Sequence, residues 1–407
     1  MQFFAFYSIE LSKLNYFFSF KNESYSINHL NKKYKVLIVQ VFIYIFIIYF
    51  ELFLKEKLKE YSIGKQFIDK CLSNKKNINN NSAFYDPPKF SVIIPLYNCE
   101  KTIYYPMISI ENQNFSEYEI ILINDFSTDQ TLNVIQSWSE QDKRIKIINN
   151  RENKGTLYSR CIGTLMSNGK YVFPLDNDDM LFGEDIFDYL YKINIEDEFD
   201  IIGFNAVKAK SYFDNIYKME DLNDYRHKNN LIILQPELCT WFISIKGKLY
   251  FHDVTIWGKI IKTKLYINAI NLLGKKRYST YMSWAEDTSM NYVIFNIAKN
   301  FKFIHKYGIF HLISLSTASY TQPINNIFFG ELFLTEVIFE FSKNNNNKIF
   351  SVFSAIFTLK KFYKKRALIK ESNKQYLNNI ILKILNSKYI SAYNKTKLIT
   401  YFHKFLS

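Results

Sequence analysis

Residues 171–180 read YVFPLDNDDM, an apolar run that stops at three carboxylates, Asp176, Asp178 and Asp179. Val172 and Phe173 read as part of a buried strand. Like charges crowded this closely are costly unless a positive charge sits on them. A hard divalent cation, Mn²⁺ or Mg²⁺, takes oxygen ligands and keeps substrate phosphates in its shell, which makes Asp176 and Asp178 candidate metal ligands. An acidic turn ahead of a helix, with Asp179 as its N-cap, is the other reading these ten residues allow. The surrounding sequence decides between them.

Upstream lie three more short runs rich in Ile and Val: SVIIPLY (91–97), EIILIND (119–125) and IKIINN (145–150); DIIGFNA (200–206) follows downstream. Segments of helical length separate them, Asp129 to Gln141 and Lys154 to Asn168. Strands alternating with helices predict βαβ units and a doubly wound, mostly parallel α/β sheet covered on both faces. Ligands of such a sheet sit beyond the C-terminal strand ends. There the backbone after Pro95, with Tyr97 and Asn98, is placed to wrap a flat ring. Asp125 is placed to accept a base or ribose hydrogen bond, and Ser127, Thr128 or Asp129 to cap the next helix. After the third strand, Lys154 and Gly155 open a helix whose start favours anions, and the glycine permits close approach of a ligand to the backbone. Arg160, about two turns on, reads by itself as a surface arginine.

This order of motifs resembles the family 2 glycosyltransferases of GT-A fold. SVIIPLYN, INDFSTDQT, NKGTLYSRCIG and YVFPLDNDDM carry the resemblance, in order between residues 91 and 180. It continues in WGKIIKTKLY (257–266) and WAEDTSMNY (284–292) and covers about residues 89–320. The resemblance implies an inverting, non-processive transfer of a hexosyl or N-acetylhexosaminyl group from a nucleoside-diphosphate sugar, UDP-sugars favoured, to a glycan, lipid or protein acceptor. By it, Asp287, with Glu286 beside it, stands where the family's general base lies, and Mn²⁺ or Mg²⁺ on Asp176 and Asp178 neutralises the leaving diphosphate. Donor contacts fall to Pro95, Tyr97, Asn98, Asp125, Ser127, Lys154, Gly155, Arg160 and Asp176. Trp257, Lys259 and His311 become candidate acceptor or diphosphate contacts, with His252-Asp253 on the acceptor side. Phe126 stands where glycine is usual, which predicts an altered turn near the nucleoside. Ser159 and Cys161 also depart from the usual pattern.

The formal net charge of +14 suits nucleic acid, an anionic membrane or a phosphate-bearing substrate. No nucleic-acid motif accompanies it, and Lys is scattered among Asn-rich runs, so nucleic acid is set aside. Cys71, Cys99, Cys161 and Cys239 form no C-x-x-C pair, which argues against zinc and a disulfide framework. Residues 36–54, nineteen residues interrupted by Gln40 and Glu51, predict a single transmembrane anchor after an N-terminal tail (1–35). Lysines flank it evenly and leave its orientation open. A stem (55–88) then leads to the transferase domain, nucleotide half 89–180 and acceptor half 181–320, and a helical C-terminal region (321–407) expected to pack on it. In a eukaryote this layout fits a Golgi or endoplasmic-reticulum protein, and the sequon Asn80-Asn81-Ser82 permits it.

Three other readings compete. A haloacid-dehalogenase-type phosphatase also ends a strand in D-x-D, but Met180 stands where that family needs Thr or Val. A processive polysaccharide synthase would carry Q-x-x-R-W and several spans, and neither is found. A catalytically dead sugar-nucleotide-binding module would have lost an acid at the metal or base position, whereas both are present.

Overall fold

The structure, a computed structural model, describes residues 87–194, 199–209, 217–220, 231–235, 243–245, 249–251, 255–312, 322–342 and 348–406. The predicted tail, anchor and nearly all of the stem lie outside the described residues, as do His252, Asp253, Cys71, Cys239 and the sequon. Among the described residues no helix is long and apolar enough to cross a membrane.

Four strands form the parallel half of the sheet: β1 (Phe90–Leu96), β2 (Tyr118–Asn124), β3 (Ile145–Asn149) and β4 (Tyr171–Pro174). They lie in the order β3-β2-β1-β4, so the three expected crossovers are present. Helices α1 (Tyr104–Glu111), α2 (Thr131–Gln141) and α3 (Thr156–Leu165) make those crossovers. Burial alternates along β1: Phe90, Val92, Ile94 and Leu96 enter one core, while Ile93 faces the other. That two-residue period on a strand buried on both faces is why its sequence reads as one continuous apolar run. Each such side chain, once fully buried, contributes about 1.5–3 kcal/mol.

Beyond β4 the sheet is mixed, which corrects the mostly parallel expectation. After β5 (Met180–Leu181) and α4 (Ile186–Asn194) come β6 (Ile201–Ala209), β7 (Tyr217–Glu220), β8 (Ile232–Leu234), and the separate pair β9 (Ile243–Ile245) and β10 (Leu249–Phe251). Strand β11 (Lys259–Lys262) then wedges antiparallel between β4 and β6. Helices α5 (Thr263–Leu273), α6 (Lys275–Tyr278) and α7 (Glu286–Ile297) follow, then β12 (Asn300–Leu312), parallel to β6 and antiparallel to β5. A four-residue strand, KIIK, is too short to show a period, so the sequence gives no sign of this antiparallel seam.

The C-terminal helices are α8 (Ile324–Phe341), α9 (Ile349–Phe362), α10 (Glu371–Asn386) and α11 (Ala392–Leu406). Helix α8 serves two cores. Phe333, Leu334, Val337 and Ile338 pack with Tyr292 and Phe295 of α7, while Phe328 and Leu332 pack with Val352, Leu359, Ile381 and Phe405 of the later helices. The helical region thus packs on the α/β domain, as expected, and it does so against the helix that begins with Glu286 and Asp287.

Candidate active site

The sheet delivers its polar residues at one edge, just past β1, β2 and β4. Strand β4 stops at Pro174, two residues earlier than its sequence suggests, and Asp176–Asp179 form a turn closed by the Asp179 N–H on the Asp176 carbonyl at 3.2 Å. Asn177 pins this turn to β1 by donating from Nδ2 to the Pro95 carbonyl at 3.0 Å. Asp179 is not the predicted cap, since the next helix begins only at Ile186. Its carboxylate is fully buried, with Oδ1 bonded to His311 Nδ1 at 2.9 Å and accepting the Leu312 N–H at 3.2 Å. Burial pushes the Asp179 carboxyl up while His311 opposes it. Burial likewise disfavours the His311 cation, yet Asp179 outweighs it and raises that imidazole. His311 also stacks on Trp257, ring centroids 4.5 Å apart, so the acidic turn rests on an aromatic floor.

Asp178 stays partly exposed. Burial, with Asp179 and Asp176 alongside, pushes its carboxyl up to about 7, against the pull of His311. A pair of crowded carboxylates is the oxygen-only donor set a hard cation takes, with water and phosphate filling its other positions. Among the described residues no three His, Cys, Asp or Glu side chains converge into a complete metal cage. Asp176 and Asp178 are oxygen donors of the kind a hard cation takes, and would need water or phosphate to complete its shell.

Arg160 is not a surface residue. Only 5% exposed, it bridges Asp176, at 2.6 Å from NH2, and Asp287, bonded to NH1. Burial works against its charge, but Asp287 and Asp176 outweigh that and raise its pKa further. The second oxygen of Asp287 accepts the Ile256 N–H at 3.1 Å. Burial raises the Asp287 carboxyl and Arg160 opposes it; burial and Asp287 push Glu286 up to about 7. One guanidinium thus joins the acidic turn after β4 to the acidic start of α7, 127 residues apart in sequence from Arg160. Two acids in the first turn suit the helix dipole.

The residues expected on the donor side form two linked groups, Asn98 with Ser127, and Asp125 with Lys154 and Gly155. Asp125 is buried, and its oxygens accept Asn150 Nδ2 at 2.8 Å, the Lys154 N–H at 2.9 Å and the Gly155 N–H at 2.7 Å. It therefore fixes the loop before α3, whatever else it touches. Gly155 has φ +84°, and a Cβ there would lie 2.9 Å from the Met282 carbonyl. The close approach inferred for this glycine is to the Met282 backbone. The Lys154 side chain pairs with Glu152 at 2.5 Å. Tyr97 is exposed, and Asn98, at φ +49°, donates its N–H to Ser127 Oγ at 3.0 Å and accepts the Thr128 N–H at 2.8 Å. Asp129 accepts the N–H of Thr131, the first residue of α2, at 3.0 Å, from one place before the cap position Gln130, which itself makes no side-chain cap bond. Phe126 sits in this turn at φ +64°, the left-handed conformation, a strain of about 1–2 kcal/mol for a residue with a Cβ.

Lys259 differs most from its predicted place. It is buried, and its ammonium donates to the carbonyls of Thr255 and, at 3.3 Å, Trp257. Asn291 Nδ2 donates to the same Thr255 carbonyl at 2.7 Å. Lys259 thus holds the turn whose Ile256 N–H meets Asp287. Cys99 and Cys161 are buried free thiols; burial pushes Cys99 up to about 12 and raises Cys161 too, which leaves both unreactive.

Sequence reasoning missed the support behind Asp287. Ala285, at φ +60°, turns the chain into α7, and α8 presses on the residue before it. A Cβ on Gly330 would lie 2.2 Å from the Trp284 carbonyl oxygen. Glu331 accepts from Trp284 Nε1 at 3.3 Å and pairs with Lys361 at 2.6 Å, while Ser283 Oγ bonds Gln322 at 2.7 Å. The only sequence signal is a lone glycine in a long apolar helix. Gly330→Ala is expected to lower the thermal midpoint by the equivalent of about 1–3 kcal/mol, although alanine ordinarily stabilises a helix. Differential scanning calorimetry checks this, and an unchanged or higher midpoint would show that the contact is slack.

With that geometry in place, residues 91–250 match the family model described as Glycosyl transferase family 2. An uncharacterized glycosyltransferase of Haemophilus influenzae is 46% identical over 93 residues, 23% of this chain and 29% of that protein. Glycosyltransferase GlyA of Streptococcus pneumoniae is 28% identical over 200 residues, 48% of this chain and 27% of that one. A GalNAc(5)-diNAcBac-PP-undecaprenol beta-1,3-glucosyltransferase of Campylobacter jejuni is 26% identical over 191 residues, 44% and 62% respectively. The chain thus spans between about a quarter and three fifths of these relatives' own lengths. A crystal structure of S. aureus TarS in complex with UDP-GlcNAc aligns with a TM-score of 0.55 at 16% identity, covering 78% of this chain and 90% of that one, and shows the shared GT-A-like fold. Residues 91–250 are thus similar to glycosyl transferase family 2, and the rest of the chain lies outside that match. The phosphatase reading falls with that match, and with an acidic turn placed after the fourth strand rather than the first.

Proposed function

We propose that the chain transfers a sugar from a nucleoside-diphosphate donor to an acceptor hydroxyl, inverting the anomeric centre. The observation that carries this reading is Arg160 joined to both Asp176 and Asp287. It sets a candidate donor-side acid and a candidate proton acceptor on opposite sides of one cation. The nucleotide would lie over the ends of β1 and β2, against Tyr97, Asn98 and the loop fixed by Asp125. Asp287 would take the acceptor proton as the hydroxyl oxygen attacks the anomeric carbon and the bond to the diphosphate breaks. No covalent intermediate on the protein is needed. A divalent cation held by Asp176 and Asp178 would, when bound, offset charge on the leaving diphosphate. Trp257 and His311 would floor that diphosphate.

Uridine is the favoured base because TarS, whose fold is similar, binds UDP and UDP-GlcNAc. The relatives' names give the reading further support, one of them a glucosyltransferase acting on a lipid-linked glycan. A span at residues 36–54 would keep the domain at a membrane, where such acceptors reside.

The test is release of nucleoside diphosphate from a panel of UDP-, GDP- and dTDP-sugars by the full chain with Mn²⁺, with and without acceptor. At least one donor is expected to be consumed, and consumption of none would defeat the reading. Asp178→Ala is expected to abolish the Mn²⁺-dependent part of the thermal shift given by the active donor. At a ligand concentration of 100 Kd that shift corresponds to about 2.7 kcal/mol. A variant that kept the full Mn²⁺-dependent shift would place the cation elsewhere.

A further inference from the structure

Nearly all of the chain's excess positive charge sits in its last part. Residues 341–407 hold fourteen Lys or Arg against the single acid Glu371, a formal +13 of the chain's +14. Residues 1–340 are almost neutral. Compositional bias does not explain so steep a gradient, because Lys is frequent throughout.

The helices bring much of this charge to one surface. Lys360, at the end of α9, lies 4.7 Å over the Tyr401 ring of α11. Lys404 of α11 lies 5.8 Å over the Tyr363 ring, and Arg366 stands 4.6 Å from that same ring. The end of α9, the 3₁₀ turn Tyr363–Leu368 and the last turns of α11 are therefore continuous. Lys364 and Lys365 are exposed on that turn. Glu331 pairs with Lys361 and Glu371 with Lys374, so the acids near this surface are spent on other lysines. Large apolar side chains stand open beside the cations, with Leu368 65% exposed and Phe357 49%.

We infer that this face docks on an anionic lipid surface. Basic side chains interleaved with exposed aliphatic and aromatic ones are the pattern that lies in a membrane interface, the cations meeting lipid phosphates and the apolar groups entering the acyl boundary. A soluble polyanion would use the lysines but would gain nothing from Leu368 and Phe357. The inference rests neither on the 36–54 segment nor on the transfer reaction.

Hydrogen exchange on the full chain tests it locally, whether or not the chain is anchored elsewhere. Vesicles of phosphatidylcholine with one third phosphatidylglycerol are expected to slow exchange at residues 357–368 and 401–406. Pure phosphatidylcholine should do so much less, and about 0.5 M salt should reverse the effect by screening it. The triple variant Lys360→Gln, Lys364→Gln, Lys365→Gln changes only exposed side chains, and should weaken the vesicle-dependent protection on the order of a hundredfold in lipid concentration. No protection, equal protection by neutral vesicles, or equal protection by soluble inorganic polyphosphate would each overturn the proposal, the last by assigning the face to a free polyanion.

Discussion

Asp287→Asn is expected to leave donor binding within a few fold of wild type and to lower turnover about 10²- to 10⁴-fold, the usual contribution of a positioned general base. Asparagine keeps the shape of the side chain and one acceptor oxygen, so it can still bond either Arg160 or the Ile256 N–H. It cannot take a proton. Calorimetric donor affinity and steady-state kcat, measured on the same preparation, separate the two effects. Glu286 is the control, because it lies beside Asp287 and its carboxyl is pushed up to about 7. Glu286→Gln should cost much less. If Asp287→Asn turned over normally and Glu286→Gln did not, the proton would go to Glu286.

Arg160→Gln should be the most damaging single change to both stability and activity. Removing one partner of a buried ion pair costs about 3–5 kcal/mol, because the remaining charge is left without a counterion. Asp176 and Asp287 keep 27% and 21% of their side-chain surface exposed, which favours the low end, about 3 kcal/mol. The pH dependence carries a sign. Arg160 opposes the burial that raises the Asp287 carboxyl, so without it that carboxyl rises further and stays protonated to higher pH. A base must be deprotonated to act, so the acid limb of kcat/KM should move to higher pH. Urea unfolding and a pH–rate profile check the two parts. The double variant Arg160→Gln, Asp287→Asn should be more stable than the sum of its parts, since it removes a stranded carboxylate. Simple additivity would mean that the bridge carries little energy.

What was legible in the sequence follows from the range of each interaction. Strands β1 to β4 announce themselves because burial on both faces forces unbroken runs of Ile and Val. Asp125 and Asp176 stand out because a carboxylate ending an apolar strand needs a reason, whereas Asp287 stands out only through the family resemblance, since an acid in the first turn of a helix is ordinary. Arg160 does not: an arginine in a helix looks the same whether it faces solvent or spans two carboxylates from distant segments. Lys259 misled for a related reason, since nothing local marks a lysine whose ammonium is consumed by the carbonyls of Thr255 and Trp257. Asp179 and His311 are 132 residues apart, and their pairing depends on β12 lying beside β5. The contact of Gly330 with Trp284 likewise exists only once α8 has docked.

The most direct test is a crystal structure of the chain with a bound, slowly hydrolysed UDP-sugar and Mn²⁺, with the metal located by anomalous scattering. The predicted result is anomalous density for Mn²⁺ beside Asp178, with the base over the ends of β1 and β2 and the anomeric carbon facing Asp287. A nucleotide bound away from those strand ends, or an anomeric carbon facing away from Asp287, would contradict it.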